Sequence, residues 1–417
     1  MEERADRQWP PRTEAGLTRR GLVARLAAAG FAAPVIASIL ATKGGIEAEN
    51  ATPPASPGAS PLASPGATPA ASPAPEEVLR SIGADPRLIG YSSTTFGTPL
   101  GLIDGLTVPN DLFFIRANGP VSIDIAPNAW RLAVTGLVDA PLMLSLRDLQ
   151  AMPPRTLTAF LECSGDSRDR FTPKAEGTAW GNTAVGNAEW TGVSLANVLD
   201  RAGVRPGAVD VVAQGGDFAK MLRGLPFEIA RQPDTMLVWQ MNGEPLPASH
   251  GGPVRLFVPG WGGIASTKWV VGLEVIDHPF AGHYNTESYV IIDEQEHVVR
   301  PVREMPVKSV ITAPAPQAVV GAGPQSVAGY AWSGYGGITK VEVSGDGGAT
   351  WAEAPITLQA GRRSWVRFEY PWAAKAGTAR LRSRATDERE LTQPETVPWN
   401  AKGYQMNAVY EVPVTVR

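Results

Sequence analysis

The stretch Leu157-Thr-Ala-Phe-Leu-Glu-Cys163-Ser-Gly-Asp-Ser-Arg168 holds the only cysteine of the 417-residue chain. Its apolar first half predicts a strand, and Ser164-Gly165 predicts a turn with Cys163 at its mouth. Arg168, five residues on, is a positive charge that can favour the thiolate. A thiolate is a soft metal ligand. The competing reading is a small buried apolar residue. One cysteine excludes an internal disulfide framework, iron–sulfur clusters, CxxC zinc sites and covalent haem attachment. Four histidines leave little room for a His-rich metal site. Any redox or metal chemistry must therefore run through Cys163 or through a cofactor.

Outward from this stretch, the chain divides into four segments. Residues 1–42 read as an export signal, with Arg19-Arg20 before an Ala-rich apolar run from Leu26 to Ala41. That pattern predicts the twin-arginine route and a periplasmic or outer-face location. An uncleaved membrane anchor and an ordinary Ala-rich helix are the competing readings. Residues 43–81 read as a Pro/Ala/Ser-rich linker, with Pro at every fourth position from Pro53 to Pro73. Residues 82–300 mix strands and short helices. Trp130–Val138, Val209–Ala213, Val254–Val258 and Trp269–Val275 read as strands, and Ser194 reads as the cap of a helix ending at Gly203. Residues 301–417 read as an all-β sandwich, with alternation in Val341–Ser344 and Ala379–Ala385 and a turn at Gly345-Asp346-Gly347-Gly348. Charge is nearly balanced, 37 Lys+Arg against 41 Asp+Glu, which argues against nucleic acid as a partner.

The order of short motifs narrows the reading further. After Phe113-Phe114-Ile115-Arg116-Ala117-Asn118 come Cys163-Ser-Gly-Asp-Ser-Arg168, Trp180-Gly181 and Trp190-Thr-Gly192-Val-Ser-Leu195. Then follow Met241-Asn-Gly-Glu-Pro-Leu-Pro247, His250-Gly-Gly-Pro-Val-Arg255, Val258-Pro-Gly260 and Lys268-Trp269. In this order the chain resembles the sulfite oxidase family of molybdenum-pterin enzymes. The resemblance implies an α+β chain: a mixed α/β molybdopterin-binding catalytic domain, then an immunoglobulin-like dimerisation domain. It implies that Cys163 is the protein's ligand to molybdenum. Arg116 and Arg168 match arginines of the anion pocket, and Tyr289 matches the active-site tyrosine, with Tyr284 as the competing choice. The implied pterin contacts are Phe114, Ile115, Arg116, Ala117, Asn118, Asp217, His250, Arg255, Ser266, Thr267 and Lys268. Trp180 matches a tryptophan near the substrate funnel, with a packed core residue as the alternative.

The implied activity is oxidation of sulfite to sulfate, with electrons passed to a separate cytochrome or other acceptor, since one cysteine leaves no haem motif in this chain. Sulfane sulfur, another small oxyanion and a reductase direction are the alternatives within the class. A cofactor-free cell-surface binding module is the alternative outside it. The implied assembly is a homodimer, with membrane anchoring through the N-terminus left open. Three departures weaken the sulfite reading, and the first is Asn118 where the family has His. Glu176 stands where the family commonly has Lys, and Gly337 stands near where an Arg is expected.

Overall fold

The structure, a computed structural model, describes residues 73–217 and 221–417. The expected export signal and most of the Pro-rich linker lie outside the described residues. Among the described residues no helix is long and apolar enough to cross a membrane.

A helix lies inside the segment assigned to the linker. Pro75–Ser81 is a helix with Pro at its first turn and Glu76 and Glu77 beside its N-terminus. Both features suit a helix start. Val78 and Leu79 are buried in the main hydrophobic cluster. Their spacing was masked by the proline-rich run before them. Because Leu79 is 2% exposed, Leu79→Ala is expected to lower stability by about 2–5 kcal/mol in urea unfolding. An unchanged midpoint would show that this helix is only laid on the surface.

Two five-stranded sheets build the first half. In one, the strand Val185–Ser194 lies between Arg155–Glu162 and Met236–Met241, which also pairs with Arg255–Phe257. Being central, Val185–Ser194 is buried on both faces over most of its length. The other sheet is mixed: Arg131–Gly136 runs parallel to Val270–Ile276, and the remaining pairs are antiparallel. The helix Leu195–Ala202 packs in one cluster with residues of both sheets, among them Leu132, Val211 and Leu237. It buries Leu195, Val198, Leu199 and Ala202 at helical spacing and stops at Gly203, whose φ is 66°. Ser194 occupies the cap position but does not cap; its hydroxyl is buried without a partner.

The second half is two sheets, one of four strands from Lys308–Ala313 to Ile356–Gln359, the other of five around Gly377–Asp387. They share a core that includes Val327, Phe368, Val341, Leu381 and Val412. Leu381, Ser383 and Ala385 are buried while Arg380, Arg382 and Arg384 point outward, as the alternation requires.

The halves are not independent. Val310, Tyr330, Trp332 and Trp365 of the second half belong to the same cluster as Phe96, Phe160 and Leu161 of the first. Trp365 Nε1 donates to Leu106 O at 2.7 Å, and Tyr330 Oη lies 3.0 Å from Ile103 O. This shared core fixes the second half against the strand that leads to Cys163.

Candidate active site

Arg155–Glu162 delivers Cys163 to a cavity with about 740 Å³ of empty space, open to solvent at its mouth. Twelve of the fourteen residues singled out from sequence line it: Phe114, Ile115, Arg116, Ala117, Asn118, Cys163, Asp217, His250, Arg255, Ser266, Lys268 and Tyr289. They come from segments up to 175 positions apart, between Phe114 and Tyr289.

The cavity wall includes the thiol. Cys163 is half-buried. Desolvation pushes its thiol up, while Arg116, the Gly165 N–H and Arg168 pull it down less strongly. The expectation that Arg168 keeps it as a thiolate is therefore corrected. Arg116 is the larger influence, and without a metal the group stays protonated. Beside it, Asn118 Nδ2 donates to Tyr289 Oη at 3.3 Å. Burial raises the Tyr289 phenol, so it serves as a neutral hydrogen-bonding group. Tyr284, the competing choice, packs against Tyr289 at 6.0 Å between ring centroids but does not line the cavity.

Arg255 and Lys268 line the same cavity, with Asp217 as the carboxylate among its lining residues. Arg255 is 4% exposed. Its Nη1 donates to His250 O at 2.9 Å and its Nη2 to Ser266 O at 2.8 Å, while Nε is buried without an acceptor. Burial lowers its pKa to about 9. Lys268 donates to Ser249 O at 2.8 Å, and desolvation with the neighbouring Arg255 drives its pKa well below the ordinary value. Asp217 partly offsets this. Neither cation forms an ion pair among the described residues, which leaves room for an anion. Gly251, at φ 103°, lets the chain pass this site, because a Cβ there would lie 2.8 Å from the Lys268 Cβ.

His250 lines the cavity as an uncharged group. Its Nε2 faces Asn110 O at 2.9 Å. A carbonyl only accepts, so the proton sits on Nε2. Burial lowers the ring's pKa to about 3. His250 is thus a neutral anchor for the Asn110 turn and adds no positive charge.

Arg168 and Thr267 fall outside the cavity lining. Thr267 is 1% exposed, and its hydroxyl is buried without a partner. Arg168 is 8% exposed, with Nε donating to Lys402 O at 2.9 Å and Nη1 to Thr178 O at 3.2 Å. It lies over the Tyr404 ring at 5.1 Å. Tyr404 in turn stacks on Tyr289 at 5.3 Å and 11°. Sequence reading missed Tyr404, because it lies in the segment assigned to the sandwich and carries no motif of its own. Trp180 is a core residue, 1% exposed and packed on Tyr91 at 4.6 Å.

Among the described residues no group of three His, Cys, Asp or Glu could hold a metal. A metal at Cys163 must arrive with ligands of its own. The family model for the oxidoreductase molybdopterin binding domain matches residues 118–284. That for the Mo-co oxidoreductase dimerisation domain matches residues 299–417. Sulfite oxidase of Arabidopsis thaliana is 31% identical over 340 residues, 72% of this chain and 86% of that protein. This chain belongs to the sulfite oxidase family. Mitochondrial sulfite oxidase of Mus musculus is 31% identical over 342 residues, 76% of this chain but only 62% of that protein. The solved structure of the sulfane dehydrogenase SoxCD from Paracoccus pantotrophus fits with a TM-score of 0.72 at 32% identity, covering 84% of this chain and 92% of that chain.

As a sulfite oxidase family member the chain is a molybdopterin-dependent oxidoreductase, and the binding-module reading falls. The residues present fit the group. A lone thiol suits a metal whose other ligands come with the pterin. The unpaired Arg255 and Lys268 suit its phosphate, which needs donors and positive charge. When bound, the molybdenum-pterin group supplies the oxygen-atom and two-electron chemistry that side chains lack.

Proposed function

We propose that this chain is an exported enzyme that oxidises sulfite to sulfate. The overall change is sulfite plus water to sulfate, two protons and two electrons, and the electrons pass to a separate cytochrome or similar acceptor. One observation carries this reading: Cys163, Arg116 and Tyr289 line the same cavity as Arg255 and Lys268. In this reading Arg116 draws the anion toward Cys163. Tyr289 and Asn118 then hold it by hydrogen bonds, with the phenol neutral at working pH. Arg168 adds positive charge from behind the cavity wall and needs no direct contact. Export is supported by the twin arginines at Arg19-Arg20, and a homodimer by the match to the dimerisation domain.

The likeness to a sulfane dehydrogenase supports a second reading, in which the substrate is sulfane sulfur. The loss of expected cations points the same way. Glu176 is exposed, and Gly337 lies against Arg362 and Glu388 rather than in the cavity. Lys402, whose carbonyl holds Arg168, is a basic residue of that neighbourhood. Steady-state rates with sulfite, thiosulfate and nitrate, using molybdenum-replete protein and an artificial one-electron acceptor, separate the readings. We expect the highest kcat/KM with sulfite. Turnover of thiosulfate with none of sulfite at millimolar level would replace the first reading by the second.

A further inference from the structure

Glu162 and Asp166 flank the cysteine on either side, and both carboxylates are sealed from water. Glu162, Asp166 and Lys308 are 1%, 1% and 3% exposed. Lys308 Nζ lies 3.1 Å from Glu162 Oε1 and 2.6 Å from Asp166 Oδ2. Trp332 Nε1 donates to Glu162 Oε2 at 2.8 Å, and Ala184 N donates to Asp166 Oδ1 at 2.8 Å. Lys308 and Trp332 both belong to the second half, on paired strands, with Lys308 opposite Trp332 in register. The first half thus supplies two buried carboxyl groups around the thiol, and the second half supplies the ammonium that bridges them.

We propose that Lys308 is a positioning residue for Cys163. By gripping both flanks of the turn 162–166, it fixes where the thiol points into the cavity. Removing it leaves two enclosed carboxyl groups without the donor that bridges them, so both flanks of the turn lose a hydrogen-bond partner and the turn loosens. Other bonds to the turn engage backbone: Cys163 N to Ala184 O at 2.8 Å, and Gln405 N to Ser164 O at 2.8 Å. They hold the chain but do not bridge the two carboxyl groups. The proposal rests on Cys163 being the cofactor's ligand, yet the position of the thiol can be read without the cofactor.

The test uses the chain's single thiol, so alkylation reports on Cys163 alone. In cofactor-free full-length protein, Lys308→Met is expected to speed iodoacetamide labelling by about tenfold. In molybdenum-loaded protein the same variant is expected to shift the Mo(V) paramagnetic resonance signal. Lys308→Met combined with Glu162→Gln, which replaces one of the two unbridged carboxyl groups by an amide, is expected to bring the labelling rate back toward wild type. Leu79→Ala, which makes no hydrogen bond or ion pair to the turn through its side chain, serves as a control for lost stability and should leave the labelling rate unchanged. Wild-type labelling and an unshifted signal in a Lys308→Met protein that merely melts lower would overturn the proposal, leaving Lys308 as a strut between domains. If the single variant does not fold, the double variant decides: labelling that stays fast there overturns it. Absence of molybdenum from wild-type protein would count against the proposed function, while the labelling arm would still judge Lys308.

Discussion

Cys163→Ser is expected to abolish turnover and leave the fold intact. The loss should exceed the roughly 10–100-fold that changes behind a metal's direct ligands cost. The reason lies in the donor atom. Burial already pushes the Cys163 thiol up, with Arg116 and the Gly165 N–H only partly opposing it. A serine hydroxyl in the same place is far less acidic and a harder donor, so it neither ionises nor suits a soft metal site. No second thiol exists in the chain to replace it. The substitution itself is small, and the site is half-buried and open to the cavity. Its effect on folding stability should therefore stay within about 1 kcal/mol. Turnover with sulfite and an artificial acceptor, molybdenum content, and a thermal melt check the three parts together. A variant that keeps near wild-type turnover would show that Cys163 is only a buried apolar residue.

That contrast between the two readings of one cysteine shows what was legible in advance. The ordered motifs placed twelve residues on one cavity, because each motif sits at a strand end or turn whose position the sheets dictate. Sheet pairing brings Cys163, after Glu162, beside Gly262 and Ala184, and no local spacing could have shown that. Charge states were less legible. Histidine reads from sequence as a candidate cation, yet Asn110 O and burial make His250 a neutral anchor. Arg168 reads as a lining residue but is turned behind the wall by Thr178 O, Lys402 O and the Tyr404 ring. Both outcomes depend on contacts from distant segments. Tyr404 was out of reach for the same reason, since 236 positions separate it from Arg168. The helix Pro75–Ser81 was hidden by composition: a proline-rich run in front of it masks a short amphipathic turn whose burial only the tertiary fold supplies.

Lys268→Met should separate cofactor binding from folding, with opposite signs. Lys268 lines the cavity, bonded to Ser249 O and close to Arg255. An anionic phosphate there would gain from its charge, and removing that charge should weaken cofactor retention by about 10–100-fold. The cofactor-free protein has no such compensation. It carries two neighbouring cations with Asp217 as a partial offset, and each is held below its ordinary pKa. Methionine keeps the apolar stem and drops the charge, so the cofactor-free variant should melt at or above wild type, by about 1 kcal/mol, because Lys268 keeps some contact with cavity water. The pH dependence follows with a defined sign. A lysine whose folded pKa is depressed binds fewer protons folded than unfolded, so stability rises with pH until the unfolded lysine has also lost its proton. Cofactor-free wild type should therefore gain stability from this group as pH climbs toward the ordinary lysine range, and Lys268→Met should flatten that slope. Bound phosphate favours the charged lysine and should flatten it as well. Arg255→Met differs, because it strips two donors from His250 O and Ser266 O and should destabilise both forms. Melting curves against pH for loaded and cofactor-free protein test the whole set. A Lys268→Met protein that retains its molybdenum-pterin group as tightly as wild type would remove the phosphate from the neighbourhood of Lys268.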